Sequence, residues 1–208
     1  MKMNATFAHT PIRRPSAALV QMHARARDGL PTGWSQLDTL LPGGGWPAGG
    51  LTEMLNARGS VDAMSLLLPA LAALTHTARR VVLIEPPTLP WLQNLRQQGI
   101  RSEFLHVIKN EAQADSWSAE QYLRTGCAAA VVLWAHPNDA LRLRGLQQAA
   151  AAGASHAFVI RDIDQAQQIS PADLRVAVGR DERGIAVNVL RCRGLHKPAM
   201  VVLPANNY

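Results

Sequence analysis

Short apolar runs alternate with longer amphipathic ones from residue 51 to residue 161. The runs at 51–55, 80–84, 104–108, 128–134 and 156–161 have the length and β-branched content of strands. Between them, 60–77, 90–98, 116–125 and 138–152 carry the spacing of helices. In the first of these, Leu67, Ala70, Leu71 and Leu74 share one face, and Pro69 is expected to kink the helix or delay its start. Gly99, Gly126 and Gly153 close the other three, and Asn138 caps the last. The unbroken apolar run at 128–134 predicts a central parallel strand covered on both faces. Strands alternating with helices predict βαβ units and a parallel sheet. Past residue 174 the pattern changes. Strands at 174–178, 185–192 and 199–203 are separated by turn-rich pieces at 180–184 and 193–198, which predicts an antiparallel meander extending or flanking that sheet.

The start of the chain follows other rules. Residues 1–14 are polar and mixed, as in an extended arm. The stretch 16–27 predicts a short amphipathic helix with Leu19, Met22, His23 and Ala26 on one face, stopped at Gly29. Such a helix packs on a partner or a neighbouring subunit, or caps its own domain. Trp34, Leu37, Leu40 and Leu41 form a further helical stripe. The run Gly43-Gly44-Gly45-Trp46-Pro47-Ala48-Gly49-Gly50 predicts turns that need positive φ. The expected organisation is an arm with a helix over 1–28, one domain over 29–204 and a tail over 205–208.

Composition narrows the class. At 208 residues, with 48% hydrophobic and 17% charged residues, the chain is long enough to bury a core without disulfides. Its two cysteines, Cys127 and Cys192, exclude a disulfide scaffold and a clustered zinc site. No apolar run has the roughly 20 residues of a spanning helix, and no signal peptide is visible. A cytoplasmic protein with reduced thiols is expected. Cys127 opens the apolar strand and is expected to be buried. Cys192, between Arg191 and Arg193 and near His196, is expected to have a lowered thiol pKa. The net charge of +6 and pI near 10.1 favour acidic protein surfaces or nucleic acid. No aromatic-rich stretch interleaves with the basic residues, which argues against direct nucleic-acid readout. Arg191, Arg193, His196 and Lys197 surround one turn, and Arg142 and Arg144 make a second basic spot on a helix. With Leu19 and Met22 they are the candidate partner-binding residues.

A strand, a turn and a helix over 51–77 is where a phosphate-binding loop would sit. That loop needs G-x-x-x-x-G-K-[ST]. Its glycines let backbone N–H groups wrap phosphates, its lysine neutralises them and its hydroxyl holds Mg²⁺. Here Asn56 replaces the first glycine, Val61 the second, Asp62 the lysine and Ala63 the hydroxyl. The segment with Asn56, Arg58, Gly59, Ser60 and Asp62 is a degenerate phosphate loop, and Asp62 suits the first turn of a helix instead. The central strand ends in Trp134-Ala135-His136 without an acid, and Glu85 is followed at once by Pro86 and Pro87. No catalytic set, cofactor or metal is expected.

Leu30-Pro31-Thr32-Gly33, Leu37-Asp38, Leu41, Gly44-Gly45, Pro47, Gly50 and Glu53 resemble the entry to the RecA-type ATPase core, and Val189-Leu190-Arg191-Cys192-Arg193-Gly194 looks like its last hairpin. In that register the ATPase's catalytic glutamate falls at Pro86. Over residues 28–204 the chain is similar to the ImuA family. The most specific pieces are Gly44-Gly45-Trp46-Pro47, Leu51-Thr52-Glu53, Val81-Val82-Leu83-Ile84-Glu85-Pro86-Pro87 and Arg191-Cys192-Arg193-Gly194. The resemblance implies a RecA-like α/β core with a mainly parallel central sheet, flanking helices and a C-terminal antiparallel hairpin. It also implies a non-catalytic accessory role in SOS-induced mutagenic translesion synthesis, with RecA and the polymerase-like ImuB as partners and DNA met through them. RecA relatives self-associate. Residues 63–161 also resemble the SulA cell-division inhibitors, which bind FtsZ, through Leu66-Leu67-Leu68-Pro69, Trp91, Leu123-Arg124-Thr125-Gly126, Val131-Val132 and Trp134.

Overall fold

The structure is a computed structural model that describes residues 29–87, 95–109, 115–135, 142–195 and 197–204. The expected helix over 16–27, most of that over 90–98, the Asn138 cap, Leu19, Met22, His136 and His196 lie outside the described residues. The strands are β1 (Leu51–Asn56), β2 (Val81–Ile84), β3 (Leu105–Ile108), β4 (Ala130–Trp134), β5 (His156–Asp162), β6 (Leu174–Asp181), β7 (Gly184–Cys192) and β8 (Ala199–Pro204). The α-helices are α1 (Ser35–Leu40), α2 (Asp62–His76), α3 (Asp115–Arg124) and α4 (Leu143–Gly153). All eight strands form one sheet in the order β3-β2-β4-β5-β1-β6-β7-β8. The pairings from β3 to β6 are parallel, and β6-β7 and β7-β8 are antiparallel. The expected mixed α/β architecture is therefore present, and the C-terminal meander extends the sheet.

The period-2 alternation of the strands builds two cores. Val81, Leu83, Ala130, Val132, Phe158 and Ile160 face one side, where α1 and α2 pack. Val82, Ile84, Val131, Leu133, Ala157 and Val159 face the other, under α3 and α4. Every residue of β2 is buried, as are the first four of β4, because a parallel strand covered on both faces has no wet side. On the first side Trp46 meets Phe158 edge-on at 5.6 Å.

Pro69 sits inside α2, which starts seven residues earlier at Asp62, so it does not delay the helix. Two other local expectations change. Gly153 belongs to α4, and Ala154 takes the left-handed closing position at φ 48°. Glycine is needed at 153 for a different reason: a Cβ there would collide with the Leu123 carbonyl of α3, so the two helices touch backbone to backbone. Cys127 is exposed, because β4 begins only at Ala130 and the thiol sits on the turn before it. Among the described residues no helix is long and apolar enough to cross a membrane.

Candidate functional site

In an open α/β sheet ligands meet the carboxyl ends of the strands. A cleft of about 520 Å³ lies at that end, bordered by the β1–α2 turn, Glu85 to Pro87, Lys109, Trp134 and Arg161 to Asp162. The degenerate loop therefore occupies the position of a phosphate loop, between a central strand and a helix N-terminus.

Its internal bonding differs from a phosphate cradle. The Asn56 amide crosses the turn and donates to the Ser60 carbonyl at 2.7 Å. The Ser60 N–H is spent on the Ala57 carbonyl at 2.9 Å, and Gly59 supplies the left-handed residue, φ 78°, that this tight turn requires. The loop is bridged from within by the Asn56 amide and the Ser60 N–H. Asp62 is the first residue of α2, as its sequence position predicts. Its carboxylate accepts from Ser60 Oγ at 2.6 Å and from Arg180 Nε of β6 at 2.7 Å. That arginine offsets the anion repulsion expected of Asp62. The turn differs from a phosphate loop in lacking its lysine and hydroxyl and in the Asn56 bridge across it. Arg58 reaches out of the turn to Asp162 at 2.9 Å. Its hydrogen bond holds the Asp162 carboxyl below the usual carboxylate range and raises the guanidinium in turn.

Beneath the cleft lies a feature that sequence reasoning missed. Glu53, fully buried in β1, pairs with Arg161 of β5 at 2.7 Å and with Arg175 of β6 at 2.8 Å. All three side chains point to the sheet face that α3 and α4 cover elsewhere. Here the β5–β6 connection covers it instead. Arg161 donates to the side chains of Gln165 and Gln168 at 2.7 and 2.8 Å. Arg175 donates to the carbonyls of Ala166 and Gln165, both at 2.8 Å. Buried charge is tolerated only when paired, and the triad is paired throughout. Glu53 meets Arg161 in a hydrogen-bonded ion pair and Arg175 in an ion pair without hydrogen-bond geometry. The outer bonds of the two arginines pin this connection in place. The available signal was a charge next to apolar residues in each of three strands: Glu53 before Met54, Arg161 after Ile160, and Arg175 between Leu174 and Val176.

The basic residues separate into different environments. Arg191 is exposed yet donates to the Ser170 carbonyl at 2.7 Å. Arg193 stands 3.5 Å from Asp173. Arg142 and Arg144 are exposed at the start of α4, and Lys197 is exposed beyond the β7 tip. The Cys192 thiol is pushed up rather than lowered. It is half-buried against the core, and the Asp173 charge adds to that effect. The expectation failed because burial and the nearby Asp173 carboxylate both disfavour the thiolate. Among the described residues no three His, Cys, Asp or Glu side chains gather as a metal site would.

No protein-family model matches the chain, and no curated protein matches it. Among solved structures it is similar to SulA from Pseudomonas aeruginosa, at 27% identity over 53% of this chain and 96% of that one, with a TM-score of 0.45.

Proposed function

We propose that this chain is a non-catalytic binding module of the cytoplasm, a RecA-like adaptor in SOS-induced mutagenic translesion synthesis that meets RecA and an ImuB-type polymerase-like protein. The observation that carries the absence of catalysis is the self-closed β1–α2 turn. Asn56 bridges it, and Asp62 stands in the lysine position tied to Arg180. The strand order supports the RecA-like reading, because it puts this turn on a central strand with the meander at the sheet edge. The pathway and the partners rest on the ImuA resemblance of residues 28–204.

The test is a titration of labelled protein against RecA filaments and against FtsZ at physiological salt, which suppresses purely electrostatic sticking. Saturable binding to RecA and none to FtsZ is expected. Binding to FtsZ with loss of its polymerisation would replace the adaptor with a division inhibitor.

A further inference from the structure

The two edges of the sheet differ. β3, at one end, has four residues, carries His106 and is followed by the exposed Lys109. Shortness and charge are what keep an edge from pairing. β8, at the other end, has six residues, Ala199 to Pro204, and no charged side chain. Its ladder with β7 runs from Val189↔Ala199 to Gly184↔Pro204 without a bulge. Among the described residues its outer backbone groups meet no other strand or loop. This is a regular apolar edge with a row of open N–H and C=O groups, a template for another strand.

Alternation sorts its side chains. Val201 and Leu203 point to the side of α1 and α2 and join that core. Met200 and Val202 point the other way, and neither joins the core under α3 and α4. Met200 is 67% exposed, and its neighbour on β7, Asn188, is exposed as well. The strand is also self-complementary. Pro198 and Pro204 stand three residues to either side of Val201. Neither can donate to a ladder, so they bracket an open edge centred on Val201. A second β8 laid antiparallel about Val201 aligns these brackets. Opposite residues of a ladder share a face, so Met200 meets Val202 of the second copy and the exposed side chains cover each other twice. A slip of one residue would set Met200 against a core-facing position. Charge agrees with this register. It brings the exposed Lys197 of one copy toward the end of the other where Gly184 pairs with Pro204. That end carries Glu182, exposed beside the Asp181–Arg183 pair. Among the described residues neither Lys197 nor Glu182 enters an ion pair.

We propose that two copies of this chain join β8 to β8, antiparallel about a two-fold axis at Val201, so that their sheets become one. Any strand can bond an open backbone. The aligned prolines, the doubled Met200–Val202 contact and the opposite end charges select β8 itself. The two-fold uses up both β8 edges, and the short β3 ends the joined sheet on either side, so the assembly closes at two. β8 lies three places from β1 in the sheet order. The dimer therefore leaves the β1–α2 turn uncovered and holds whether or not the adaptor reading does.

Sedimentation of the full chain over a concentration series should show a monomer–dimer equilibrium with no larger species. Met200→Lys places a charge against Val202 in both contacts from an exposed position. It should raise the dimer Kd by about tenfold, since two cross-strand contacts are lost at once, and leave the circular dichroism of the monomer unchanged. Amide hydrogen exchange reads the interface without a variant. Residues 199–203 should exchange more slowly at high than at low concentration, and β3 should not change. A monomer at every concentration, a dimer that Met200→Lys leaves equally tight, growth past two, or protection away from β8 would overturn the proposal.

Discussion

At the scale of single residues, Glu53 bears the largest electrostatic burden. It is the one acid of the triad, fully buried, and it compensates two guanidiniums. Glu53→Gln leaves both cations unpaired in the interior and should cost about 3–5 kcal/mol, read from urea unfolding. A cost well under that range would mean that water reaches the triad. His156 behaves differently. Burial pushes its pKa down, while the Pro47 carbonyl, 3.1 Å from its ring nitrogen, opposes the shift only in part. The ring also stacks on Phe158. With the folded value below the unfolded value of about 6.5, the unfolded chain binds more protons between the two. The stability contributed by neutral His156 is thus complete above the unfolded value and is lost as the pH falls below it. The thermal midpoint should drop on acidification from neutral pH, and His156→Gln should flatten that slope. An equal slope in both proteins would assign the titration to another group.

At the scale of elements, helix contact and loop closure each depend on one position. Gly153→Ala forces α4 away from the Leu123 carbonyl and should cost about 1–3 kcal/mol by overpacking. An unchanged thermal midpoint would show that α3 and α4 can part freely. Asp62→Lys supplies the lysine of a phosphate loop at this position but sets it against Arg180 and leaves the Asn56 bridge in place. The variant should melt earlier than wild type and still show no response to Mg-ATP. The elements themselves were legible in the sequence. The apolar run that became β4 and the alternation of the last three strands are local patterns, and local patterns are what periodicity reads. The bonding inside the candidate site was not legible. Asp62 meets Arg180 across 118 residues, and Arg161 meets Glu53 across 108. Seen alone, each charge reads as a strand end or a helix cap. Only the sheet order, which brings β5, β1 and β6 side by side, turns three separate charges into one cluster.

At the scale of the molecule, the sheet separates two clefts. The one at its carboxyl end is bordered by the β1–α2 turn that Asn56 bridges, and a second lies ahead of β1. The adaptor proposed above is a core that binds partners without hydrolysing nucleotide. The central claim, that the carboxyl-end position no longer takes nucleotide, is tested most directly by thermal unfolding with and without saturating Mg-ATP. A ligand stabilises only the state it binds, by about 2.7 kcal/mol at a hundredfold excess over Kd. Superimposable curves are expected. A saturable upward shift with Mg-ATP would contradict it.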